Sequence, residues 1–257
     1  MTTALVTGAT AGIGEAFCRM LGQKGINLVI VSRDQGRLES HADKWRRDFG
    51  IEVEVLAADL ANNDQIVAVE NRLRDESRPI DVLINNAGFG IKESFLASTL
   101  ADEVQLVDVL VKAPMRLMHA VLPLMKEQGS GTIINVSSVA TWLTSGTYSA
   151  SKSYLTVLSE SLHVELTGSG VQVTALCPGF THTEFHERAR MRMGGLPEFM
   201  WLKADEVVAQ AWADSQAGKA LSIPGNQYRI LSTLARYAPR PWVRRMGVKI
   251  RIKQRKK

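Results

Sequence analysis

Short apolar runs alternate along this chain with longer stretches in which apolar residues recur at helical spacing. The runs at 3–7, 27–32, 51–57, 81–85, 131–137, 171–177 and 219–223 predict strands. The stretches at 12–24, 34–49, 62–77, 102–128, 148–167 and 203–217 predict helices. Mostly continuous apolar strands joined by helices imply a parallel sheet covered on both faces. The expected fold is therefore α/β, a doubly wound Rossmann-type sheet of about seven strands in a single domain. No linker divides the chain, so residues 1–235 are expected to hold cofactor and substrate sites together, followed by a basic tail at 236–257. In such sheets ligands bind beyond the carboxyl ends of the strands, at the point where strand order reverses.

Composition adds limits. With 257 residues and 45% hydrophobic content, the chain is ordinary for one enzyme domain. No charged leader precedes an apolar stretch, so no signal peptide is expected. The most apolar helix, near 104–125, is interrupted by Asp108, Lys112 and Arg116 and does not read as membrane-spanning. A cytoplasmic protein is expected. Cys18 and Cys177 read as packing residues, and no His/Cys/carboxylate cluster has metal-ligand spacing, so no metal is expected. The net charge of +5 comes from the C-terminus: 12 of the 31 basic residues, and none of the acidic ones, follow Asp214. A catalytic domain that binds nucleic acid is thereby disfavoured. The tail mixes its charge with Tyr237, Trp242, Val243, Met246, Val248, Ile250 and Ile252, which suits weak contact with anionic lipid. A solvated tail or an oligomer contact is the plainer reading.

Several strand ends carry candidate chemistry. After the first strand comes Thr7-Gly8-Ala9-Thr10-Ala11-Gly12-Ile13-Gly14, then a helical pattern. Strand, glycine turn and helix make a pyrophosphate site: glycines let the backbone approach, and the helix N-terminus binds the charge. After the fourth strand comes Asn85-Asn86-Ala87-Gly88, and after the sixth Pro178-Gly179-x-x-x-Thr183. Ser137-Ser138 closes the fifth strand, and Tyr148 and Lys152 lie one helical turn apart just beyond. By itself Tyr-x-x-x-Lys is common on surface helices. Beside a bound ligand it can act: an ammonium favours phenolate, and lowering a phenol pKa by ~3 units needs roughly 4 kcal/mol.

Together these motifs, in this order over residues 7–183, resemble the short-chain dehydrogenase/reductase family. The resemblance implies hydride transfer between a nicotinamide and a carbonyl or alcohol carbon. It implies Tyr148 as acid/base, Ser138 as the hydroxyl holding the substrate oxygen (Ser137 competes for this role), and Lys152 as the group that acidifies Tyr148 and binds the nicotinamide ribose. It assigns cofactor contacts to Gly8, Thr10, Ala11, Gly12, Ile13 and Gly14, to Asn86, Ala87 and Gly88, and to Pro178, Gly179, Thr181 and Thr183. Asp59-Leu60 resembles the adenine-contacting pair, although Asp59 also suits a helix cap. A homodimer or homotetramer through the helices at 102–128 and 148–167 is implied as well.

The second strand ends in Ser32-Arg33, where NAD-binding sheets usually carry an acid. A hydroxyl and a guanidinium suit a 2′-phosphate, which favours NADP(H) over NAD(H), with Arg37 as a second phosphate neighbour. The plainer alternative is an Arg33 that caps a solvated edge. Two features depart from the family. Leu110 stands where its members usually carry an asparagine supporting a proton-feeding water. The loop from Val139 to Thr147 is also short, exposing the pocket or moving Trp142 into it. In the segment after Thr183, Met193, Leu196, Phe199, Met200 and Trp201 suggest an apolar wall, joined by Trp142, Leu143 and Phe89, with a hinge at Gly194-Gly195-Pro197. His186 reads as a surface residue. The expected activity is an NADP(H)-preferring oxidoreductase of apolar ketones or secondary alcohols. Small polar hydroxy acids or amino acids are the alternative substrates. A non-catalytic NADP(H)-binding sensor is the alternative of another class.

Overall fold

A computed structural model describes residues 2–184, 197–239 and 241–243. Seven strands form one parallel sheet in the order β3-β2-β1-β4-β5-β6-β7. They are β1 (Thr3–Thr7), β2 (Asn27–Ser32), β3 (Val53–Ala57), β4 (Val82–Asn85), β5 (Gly131–Val136), β6 (Val171–Leu176) and β7 (Leu221–Ser222). The helices are α1 (Gly12–Gln23), α2 (Gln35–Phe49), α3 (Asn63–Leu73), α4 (Leu100–Val107), α5 (Ala113–Glu127), α6 (Gly146–Glu165), α7 (Ala204–Gln216) and α8 (Asn226–Tyr237).

Strand residues alternate between two cores, because successive side chains point to opposite faces. Ala4 and Val6 of β1 join Phe17, Leu21, Leu38, Trp45 and Val207 on the face covered by α1, α2 and α7. Leu5 joins Ile66, Leu73, Leu117, Val121 and Leu155 on the face covered by α3, α5 and α6. Both faces are dry, which is why the strands read as nearly unbroken apolar runs. β1 pairs with both β2 and β4, so strand order reverses between β1 and β4, and a crevice opens beyond their carboxyl ends.

The predicted elements are all present, with strand ends shortened by one or two residues. Three features differ from expectation. The helix expected at 102–128 is divided by a π-helical turn at Asp108–Lys112, one residue wider than the α-helical repeat. Helix α8 was not predicted: it buries only Tyr228 and Ser232, and its N-cap is Gly225 with φ of 85°, so neither an apolar stripe facing the core nor a side-chain cap announces it. Because α8 runs to Tyr237, the break expected after residue 235 falls inside a helix. Among the described residues no helix is long and apolar enough to cross a membrane, and no cluster of metal-ligating side chains occurs.

Candidate active site

Thr7 ties the first strand to the fourth. Its hydroxyl donates to Ile84 O at 3.3 Å and accepts from the N–H groups of Asn86 and Ala87 at 2.9 and 3.0 Å. Asn86 Nδ2 donates back to Thr7 O at 2.9 Å and Gly8 O at 3.1 Å. The turn between β1 and α1 is thereby clamped to the end of β4. Gly8 and Gly12 adopt φ of 67° and 56°. A Cβ on Gly14 would lie 2.2 Å from Gly8 O, and one on Gly12 would lie 2.9 Å from Thr183 Cβ. Side chains have no room here, and the backbone forms the surface. Ala11, the extended N-cap of α1, offers no side-chain acceptor to the helix's first N–H groups. A glycine cradle and a helix start without a side-chain cap fit the pyrophosphate of a dinucleotide.

Thr10 is buried, and its carbonyl accepts from Arg37 at 3.1 Å. Arg37 also pairs with Glu184 at 3.3 Å, so its guanidinium sits at the rim of the glycine turn. Arg33 is exposed, and Ser32 Oγ is shielded from solvent without a protein partner. Asp59 does not cap α3. Its carboxylate accepts from Ala61 N at 3.0 Å, while Asn62 is the cap. The Leu60 side chain turns into the core.

The two serines after β5 have different tasks. Ser137 is buried, 2.9 Å from Lys152 O, to which it donates, and 2.7 Å from the Thr156 hydroxyl, so it holds α6 against the sheet. Ser138 faces the other way and is hydrogen-bonded with Tyr148. Its Oγ also accepts from Ala140 N at 3.1 Å. Tyr148 and Lys152 share one face of α6, with Nζ 5.7 Å from the centre of the phenol ring. Lys152 is 5% exposed, and its Nζ donates to Val136 O at 2.7 Å.

The electrostatics of the chain alone differ from expectation. Burial pushes the Tyr148 phenol up to about 12, and the hydrogen bond with Ser138 offsets only part of this. Burial also lowers the Lys152 ammonium to about 8. Desolvation dominates for both groups, so in this structure the phenol is not acidified. The pair is held as a neutral phenol beside an ammonium that loses its proton readily.

Beyond β6, Pro178 O accepts from Val139 N at 3.1 Å, joining this turn to the Ser138 loop. Thr181 Oγ1 donates to Gly179 O at 3.1 Å, and Thr183 lies against Gly12. Gly8, Thr10, Ala11, Asn86, Ala87, Gly88, Pro178, Gly179, Thr181 and Thr183 therefore lie in the segments beyond the carboxyl ends of β1, β4 and β6, and Gly12, Ile13 and Gly14 form the first turn of α1.

A family model described as short chain dehydrogenase matches residues 2–193. The chain belongs to the short-chain dehydrogenase family. It is an oxidoreductase of that family, whose members bind NAD(P). The ketoacyl reductase HetN of Nostoc sp. is 31% identical over 238 residues, covering 91% of this chain and 82% of its own. A short-chain dehydrogenase from Sphingobium yanoikuyae, solved with NADPH, superposes with a TM-score of 0.84 at 32% identity, covering 100% of this chain and 98% of its own. The bulky-bulky ketone specific alcohol dehydrogenase of Comamonas testosteroni gives 0.79 at 30% identity, with 100% and 97% covered.

Within this short-chain dehydrogenase, Leu110 occupies the π-helical turn and presses on Gly88, where a Cβ would lie 2.8 Å from Leu110 Cδ2. The short serine-to-tyrosine loop forms a 3-10 turn at Val139–Trp142, pinned to α6 by Ser153 Oγ donating to Thr141 O at 2.6 Å. The ring of Trp142 lies under Arg236 of α8, 4.8 Å from the guanidinium carbon. Met200 packs against the core, and Trp201 stacks on His182 at 4.6 Å, so both are held by ordinary packing. Phe199 is 69% exposed. His186, Met193, Leu196 and the glycines of the expected hinge lie outside the described residues. Sequence reasoning missed Tyr228, whose hydroxyl accepts from Phe180 N at 3.0 Å and donates to Met200 O at 2.5 Å. It also missed Gln227, which donates to Phe199 O at 3.0 Å. The unpredicted helix α8 thus props both the Pro178-Gly179 turn and the segment expected to cover the substrate.

Proposed function

We propose that the protein is an NADP(H)-preferring reductase of bulky apolar ketones, with Tyr148 as the proton donor to the developing alkoxide. The reading rests chiefly on the Ser138–Tyr148 hydrogen bond beside the buried Lys152, at the strand ends that carry the glycine turn. The dinucleotide supplies the hydride when bound. The glycine turn, Asn86 and the Pro178–Thr183 loop would hold it. Ser138 orients the substrate oxygen and stabilises its negative charge as it forms. Tyr148, whose proton is held firmly near neutral pH, gives that proton up only to a strongly basic oxygen. Lys152 stabilises the phenolate left behind.

Ser32, Arg33 and Arg37 support the NADP(H) preference, because guanidinium groups attract a 2′-phosphate. Phe199 and the likeness to an enzyme named for bulky ketones support an apolar substrate. The test is consumption of NADPH and NADH across a panel of ketones and hydroxy acids. Fastest turnover of a bulky ketone with NADPH is expected. Turnover of small hydroxy acids alone, or tight NADPH binding with no turnover of anything, would overturn the reading.

Two assembly properties belong to the same proposal. Met115, Tyr154, Val157 and Val164 expose apolar surface on α5 and α6, which suits a homodimer or homotetramer face. Helix α8 exposes Ile230, Leu231, Leu234 and Tyr237, with Trp242 just beyond, next to the basic C-terminus. That combination suits weak docking on anionic lipid.

A further inference from the structure

The asparagines in β4 and β5 form a buried chain of hydrogen bonds whose direction is set at one end. Ser159 Oγ donates to Leu155 O at 2.6 Å within α6, so towards its other neighbour it accepts. That neighbour is Asn135, whose Nδ2 donates to Ser159 at 2.8 Å. With its amide oriented this way, Asn135 Oδ1 accepts from Asn85 Nδ2, also at 2.8 Å. Turning either amide over would set like groups against each other. The chain therefore ends on Asn85 Oδ1, an acceptor on a residue 5% exposed that has no partner among the described protein groups.

Asn85 lines a cavity of about 10 Å³ that is also lined by Lys152, Thr7, Leu60 and Leu110. That volume is at the threshold for a single water. Of the polar side chains there, the Thr7 hydroxyl already donates to Ile84 O and accepts two N–H bonds. Lys152 has three ammonium hydrogens and gives one to Val136 O. The residues that carry a free acceptor and a donor with hydrogens to share thus both line a one-water space, and Leu110 brings no polar side chain to it.

We propose that Asn85 is a positioning residue of this active site, its Oδ1 holding one water that accepts a hydrogen bond from Lys152 Nζ. The water keeps the ammonium solvated and aimed, although Leu110 supplies no amide. The functional consequence rests on the reading of Tyr148 and Lys152 given above, but the water itself does not.

A high-resolution crystal structure of the full chain tests the water directly. Water density within hydrogen-bond distance of both Asn85 Oδ1 and Lys152 Nζ is expected. Density touching only one of them, or none, would overturn the proposal whatever the substrate. Kinetics then test the consequence. Asn85→Ala should move the midpoint of the kcat/KM pH profile by about one unit or more, the size of effect that removing one charge-stabilising bond produces. Adding Leu110→Asn, which returns an amide to the cavity, should restore the midpoint. An Asn85→Ala enzyme with lower Tm and an unmoved profile would reduce Asn85 to a structural residue. A chain that turns over no ketone would refute the proposed activity and leave the crystallographic result standing.

Discussion

Gly179 lies flat against the ring of Tyr228: a Cβ at residue 179 would come within 2.0 Å of the phenol Cζ. The glycine thus makes room for a side chain from a helix near the end of the described chain. That side chain bonds to the backbone of two neighbouring segments, at Phe180 N and Met200 O. Tyr228→Phe keeps the ring and removes both hydrogen bonds. It should cost about 1–3 kcal/mol and raise KM for cofactor and ketone. Thermal melts and steady-state kinetics measure the two effects. An unchanged Tm and KM would show that α8 does not brace the loop.

Lys152 and Tyr148 shape stability at alkaline pH in opposite senses. The folded Lys152 titrates near 8, below its unfolded value of about 10.4, so between these pH values the unfolded chain binds more protons and stability rises. The folded Tyr148 titrates near 12, above its unfolded value of about 10, so stability falls as pH rises beyond 10. Between pH 8 and 10 the wild type should gain roughly 2–3 kcal/mol on a Lys152→Met variant, seen as a shift in the difference between their melting temperatures. A constant difference across that window would show that Lys152 is not forced towards its neutral form.

Arg33 and Arg37 should divide the cofactor preference between them. Alanine at either position is expected to lower kcat/KM for NADPH by about tenfold or more, the scale of a lost charge-assisted contact, and to leave NADH nearly unaffected. Arg37→Ala should also loosen the rim, because its bonds to Thr10 O and Glu184 are removed. Equal losses with both cofactors would point to a general role in shaping the turn.

The exposed face of α8 gives a separate expectation. The full chain should sediment with vesicles containing phosphatidylserine and stay in solution with phosphatidylcholine alone, and salt should release it. Ile230→Ser with Leu234→Ser should weaken the contact. Equal behaviour with both lipids would remove the membrane and leave these residues to an oligomer face.

The sheet was legible because both of its faces are covered, which turns strands into nearly unbroken apolar runs. The glycine turn, Ser138, Tyr148 and Lys152 were legible because their chemistry demands fixed residue types at fixed spacing. The pKa values were not. They depend on burial, which raises the phenol and lowers the ammonium and which residue spacing does not record. Helix α8 was hidden because it buries only Tyr228 and Ser232 and presents Ile230 and Leu234 to solvent. The free oxygen of Asn85 was hidden too, since it follows from a hydrogen-bond chain across β4, β5 and α6 that no local pattern records.

The most direct measurement of the central claim is turnover by Tyr148→Phe, alongside NADPH affinity for the same protein. Loss of the hydroxyl should lower kcat for ketone reduction by about 10²–10⁴-fold, the usual contribution of a positioned proton donor. NADPH should bind as it does to the wild type, because the glycine turn is untouched. A variant that binds NADPH normally and reduces the ketone at the wild-type rate would contradict the assignment of Tyr148.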